Sequence, residues 1–310
     1  MKSRSLPVLA LCGALLPTQA DAIFIQLDYT YDTGNFFASG SQERARLEDA
    51  AGFYENLLTD DLDAITPSSP FPIPESWVVD FFHPSVEPTG PNDKVTVSNL
   101  SVPADTVIVY VGARDFTGGQ LAEAGFGGIS TSSTFLGSPF DTAMKTRGES
   151  GVGTTDFAPW GGFLSVDDTG TTWDTSLAGS GSDYHLYSTL LHELGHVFGI
   201  GIAPSWVAQT SGGNFTGTVS VAEHGGPVAL NPAGDHWANG ITSNIRGTST
   251  SQEVALDPSI GEGETKLVTD LDVAALDDIG WDIAALPVPE PSQAMLLLVS
   301  ASALFLRRRR

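Results

Sequence analysis

Residues 190–201 read LLHELGHVFGIG. The chain has six histidines, and two of them, His192 and His196, stand here four apart with Glu193 directly after the first. Tyr187, Leu190, Leu191, Leu194 and Phe198 recur at the spacing of a helix with one buried face. This predicts a helix from about Ser182 to Phe198. Four steps of about 100° bring His192 and His196 to within roughly 40° of each other around that helix, so both rings can reach one ion.

Zinc takes imidazole nitrogen readily, and a catalytic zinc uses three protein ligands with one position left open. Glu193 sits about 100° round from His192. That is a poor place for an equal ligand and a good one for a general base acting on water at the metal. Glycine inside a helix costs about 1 kcal/mol against alanine, so Gly195 and Gly199 ask for a reason. A sharp turn at 199 would bring a later ligand beneath the ion. Ile202, three residues past Gly199, cannot bind a metal. Downstream remain His224 in AEHGGP and His236 in GDHWANG, with Glu223 as a carboxylate alternative. His185 lies two turns before His192, about 10 Å along the axis. It can line a cleft but cannot share the ion. His83, in FFHPS, reads as structural or exposed.

The remaining chain predicts a mixed sheet with helices packed on it. Residues 23–29 and 105–111 read as strands. Residues 41–58 read as a helix capped by Ser41, and 161–166, GGFLSV, as a short edge strand on which an extended peptide docks. Residues 199–258 read as loop-rich. A last helix runs from Asp270 to Ile279 and stops at Gly280.

HELGHVFG resembles the metzincin metalloproteases, whose pattern is HExxHxxGxxH or HExxHxxGxxD, and departs from it at Ile202. The likeness is to relatives with an insertion before the third ligand, the leishmanolysin-like branch. There a third histidine precedes a turn that normally carries methionine. The resemblance thus implies His236 as the third ligand and ALDP, 255–258, as the turn, with Leu256 in the methionine's place. LVTDLDVAALDDIGW, 267–281, resembles the last helix of matrixin-like domains. The likeness implies a zincin-like α+β fold: a mixed twisted sheet, a long active-site helix and a loop-rich C-terminal subdomain across a cleft. It also implies a secreted zinc endopeptidase acting on protein or peptide, with His192, His196 and His236 on Zn2+ and Glu193 as general base. The alternative is a non-catalytic extracellular matrix or biofilm-associated scaffold that keeps the fold. Such a scaffold has no chemical need for Glu193.

The two ends carry addresses. Lys2, Arg4, an apolar run and Ala20-Asp21-Ala22 read as a secretory signal peptide over 1–22. The single cysteine, Cys12, falls inside it, so no disulfide and no thiolate chemistry are expected beyond it. At the other end, PVPEPSQ (287–293) precedes an apolar run from Ala294 to Leu306 and four arginines. That run is short of the about 20 residues a spanning helix needs. The order resembles the PEP-CTERM sorting signal, over 287–310. It implies a Gram-negative host, transient inner-membrane contact, removal of the tail by an exosortase-type enzyme, and residence in the periplasm, at the outer surface or in the extracellular matrix. Residues 23–286 are left as one metalloprotease domain, with lobes of about 23–199 and 200–286. The formal charge is -23, and six of the basic residues lie in the two end segments. So acidic a surface repels phosphate backbones and speaks against nucleic acid as a partner.

Overall fold

In the computed structural model, β1 (Phe24–Asp28) and the helix α1 (Gln42–Glu55) open the domain. Residues 22–68, 74–90, 93–149 and 155–286 are described. The signal and sorting segments, apart from Ala22, lie outside them. Strands β2 (Ser76–Phe82), β3 (Lys94–Ser98), β4 (Thr106–Arg114), β5 (Ala122–Phe126) and β6 (Gly128–Ser133) follow, then α2 (Pro139–Thr146) and β7 (Gly161–Asp167). Two-residue strands β8 (Trp173–Asp174) and β9 (Tyr184–His185) lead into α3 (Leu186–Val197). Beyond it come α4 (Pro204–Ala208), β10 (Thr210–Ser211), β11 (Asn214–Phe215), α5 (Thr218–His224), β12 (Val228–Ala229), β13 (Thr242–Asn244), β14 (Ser251–Glu253) and α6 (Asp270–Asp278). The architecture is mixed α+β with several small sheets.

The principal sheet has the order β1-β4-β7-β5. Its first three strands are parallel, and β5 runs antiparallel along β7. β4 is buried along its whole length. Its residues therefore divide by strand alternation: Val107, Val109 and Val111 face one core, Ile108 and Tyr110 the other. The first core holds α1, α3 and α6 and continues without a break to Trp281. The second lies under the sheet β3-β2-β6 and α2.

GGFLSV is not an edge. β7 lies between β4 and β5, buried throughout, and the edge strands are β1 and β5. The two glycines belong to a squeezed interior strand. A Cβ on Gly161 would meet the Ile108 carbonyl oxygen at 2.0 Å, and one on Gly162 the Gly125 carbonyl oxygen at 2.1 Å. The helix expected from Ser182 begins at Leu186, because Tyr184 and His185 pair with Trp173 and Asp174 instead. α1 starts as read: the Ser41 Oγ accepts the Arg44 N–H at 3.1 Å. α6 opens with a capping box between Thr269 and Asp272. Among the described residues no helix is long and apolar enough to cross a membrane.

Candidate metal centre

α3 is held from below. Leu190, Leu191, Leu194 and Phe198 are all buried, and the Tyr54 hydroxyl of α1 donates to the Leu191 carbonyl at 2.8 Å. With that face fixed, His192 and His196 point together into a cleft of about 450 Å³. The helix ends in two bonds, Gly199 N–H to His196 O and Ile200 N–H to Gly195 O, both 3.0 Å. This is a Schellman closure, with Gly199 at φ +104° as its left-handed residue. The closure brings the Ile200 carbonyl to the His196 Nδ1, 2.8 Å away.

The chain then returns through α4 and the strands β10, β11 and β12. Trp206 Nε1–H donates to the Gly234 carbonyl at 2.9 Å, pinning the next loop. Asn231 shapes that loop: its Oδ1 accepts the Gly234 N–H at 2.8 Å and the Asp235 N–H at 3.2 Å. Gly201 lets it come close, since a Cβ there would stand 2.0 Å from the Asp235 carbonyl oxygen. His236 arrives opposite the helix. Trp237 beside it is fully buried, against the rings of Trp206 and Phe215.

The three Nε2 atoms converge. His192 and His236 are 3.2 Å apart, and His196 lies 3.0 Å from each of them. Each ring's other nitrogen faces an acceptor. His192 Nδ1 meets the Ala255 carbonyl at 2.8 Å, His196 Nδ1 the Ile200 carbonyl at 2.8 Å, and His236 Nδ1 the Asp235 carboxylate at 2.7 Å. A carbonyl or carboxylate oxygen only accepts, so the proton of each neutral ring sits on Nδ1. A neutral ring held in this way turns a bare Nε2 lone pair toward the shared point. Corners of a tetrahedron with bonds of ~2.0–2.1 Å lie about 3.3 Å apart, close to these spacings. Among the described residues this is the one group of three or more His, Cys, Asp or Glu side chains able to hold a metal ion. Burial, with the neighbouring imidazoles, holds His192 well below the usual histidine range and His196 down at about 4. Both rings are neutral near pH 7, as ligation requires.

Glu193 is 6% exposed and lines the cleft. Burial, with Glu123 adding, pushes its carboxyl up to about 8. A cation held by the histidines would draw it down again. Ile202 lines the cleft and offers no ligand atom. The other candidates stand apart from the group. His224 is exposed at the end of α5, its Nδ1 3.2 Å from the Gly226 carbonyl, and Glu223 accepts from the Ser243 hydroxyl. His185 is buried between Ser188 and the Ser176 carbonyl, so it is structural. The His83 ring packs edge-on against Tyr31 and its Nδ1 accepts the Ser85 N–H.

Sequence reasoning did not single out Asp272. Its carboxylate accepts five hydrogen bonds, from Thr269 N–H and Oγ1–H at 2.8 Å, Ala255 N–H and Trp237 Nε1–H at 3.0 Å, and Leu256 N–H at 3.3 Å. Burial pushes this carboxyl up against the pull of those donors. It ties the loop of His236 to the turn whose Ala255 carbonyl holds His192. The D-x-D of α6 was visible, but nothing in it says which backbone it will reach.

No family model, no curated protein and no solved structure matches this chain.

Proposed function

We propose that this chain is an exported zinc-dependent endopeptidase with a zincin-like fold, in which His192, His196 and His236 hold the ion and Glu193 is the general base. The observation that carries the proposal is the convergence of three Nε2 atoms within 3.2 Å, each ring's other nitrogen committed to an acceptor. All-nitrogen donors at three tetrahedral corners suit zinc better than the hard, oxygen-seeking calcium or magnesium. When bound, zinc would supply Lewis acidity, acidifying water and polarising a carbonyl.

The chain's own groups supply the rest. The free edge of β5 borders the cleft along Ala122, Glu123 and Ala124, so a peptide added there as a further strand lies across the histidines. Glu193 faces the same space, and no described residue donates to its carboxylate. It is free to take a proton from the attacking water and return it to the leaving amine. β5 and α3, from the expected first lobe, and His236 and the 255–260 turn, from the expected second, line this cleft together. Export and sorting through 1–22 and 287–310 complete the proposal. A casein zymogram of the purified protein, with and without chelator, tests it. Clearing that chelator abolishes and zinc restores supports the reading, and clearing indifferent to chelator opposes it.

A further inference from the structure

The cleft continues past His192 toward the start of α3, where Ser188 and Thr189 line it. At that end lies Lys266, only 5% exposed. Its ammonium donates to Asp257 Oδ2 and the Ser259 carbonyl at 2.7 Å, and it pairs with Glu253 at 2.9 Å. Those three acceptors use its three protons. Glu264 stands 3.8 Å away as a further carboxylate. Three acids thus surround one base; of the three only Asp257 lines the cleft, and among the described residues no other lysine or arginine does. The Asp257 Oδ1 is buried and takes no hydrogen bond from a described residue. Pro258 and Ile260 form apolar wall beside it.

An incoming acidic side chain would find Lys266 fully engaged and surplus negative charge around it. A basic one would find that surplus uncompensated. Its methylene stem would cover Pro258 and Ile260 while its head approached Asp257, drawn by the field of Glu253 and Glu264, which lie outside the cleft lining. Burial pushes the Asp257 carboxyl up to about 7 against the pull of Lys266. Even with Asp257 protonated, Glu253 and Glu264 outnumber the single ammonium.

Resting on the peptidase reading above, we propose that this end of the cleft selects a lysine or arginine side chain in the peptide residue next to the cut. The test is a peptide library digested by the zinc-loaded protein, with cut positions located by mass spectrometry. Lysine and arginine should outnumber aspartate and glutamate about tenfold at one of the two positions flanking the cut. The double variant Glu253→Gln/Glu264→Gln should narrow that ratio to about threefold with unchanged zinc content. Apolar or acidic residues enriched at both positions would overturn the inference. So would a preference that the double variant leaves untouched. No cuts at all would sink the peptidase reading and this inference together, whereas unselective cutting sinks this inference alone.

Discussion

Leu256 lies directly under Gly195: a methyl group on that glycine would stand 2.9 Å from the Leu256 Cδ1. The helix that carries both histidines therefore rests on the turn that comes after the third. Leu256 is fully buried, so it has little room to yield. Gly195→Ala gains about 1 kcal/mol of helix propensity and loses about 1–3 kcal/mol to overpacking. A net destabilisation of about 1 kcal/mol is expected from denaturant midpoints. Combined with Leu256→Val, the change should be smaller than the sum of the single variants. Strict additivity would mean the two residues do not press on each other.

Asp272 touches none of the three imidazoles, yet it ties together the segments that hold two of them. Asp272→Asn puts an amide N–H among five donors. It should cost about 2–4 kcal/mol of stability and weaken zinc retention as well. Unfolding curves and metal content, measured on the same preparation, check both halves.

Asp60 gives a pH dependence away from the metal centre. It is 3% exposed, and its Oδ2 has no hydrogen-bond partner among the described residues. Burial, then Glu149 and Asp282, raise its carboxyl to about 7, and only backbone hydrogen bonds oppose them. A carboxyl raised in the folded state binds its proton more tightly there than in the unfolded chain. Its contribution is therefore fully present below about pH 4 and is lost as pH rises to about 7. Over that window it removes a few kcal/mol of stability, on the order of three pKa units. Asp60→Asn, which keeps an oxygen for the Asp282 N–H, should flatten the fall. Melting temperatures at pH 5 and pH 8 give the comparison: wild type loses more than the variant.

Much of this was legible because it is local. The periodicity around His192, the Ser41 cap and the stop at Gly280 each depend on a few neighbouring residues, and α3, α1 and α6 obey them. β2, with its SWVVDFF run, and α2, with Ser138 before Pro139, carried signals as well, but short elements compete poorly with loop composition between them. GGFLSV misled because two side-chain-free residues look the same at an edge as in a crowded interior. The reach of Asp272 to Trp237, Ala255 and Leu256, and the meeting of His192 with His236, join segments far apart in sequence. No periodicity encodes them.

Glu193→Gln separates base from ligand. The amide keeps the shape and loses the ability to take a proton. Activity should fall by about 10²–10⁴-fold while bound metal stays at the wild-type level. A variant that loses metal as His192→Ala does would make Glu193 a ligand instead.

His236 brings the third Nε2 to the pair begun by His192 and His196. The most direct test of its role as third ligand is zinc bound per chain, by elemental analysis of the purified protein and of two single variants. Near one zinc is expected in the wild type and in His224→Ala, and near none in His236→Ala. Zinc retained by His236→Ala, or lost from His224→Ala, would contradict it.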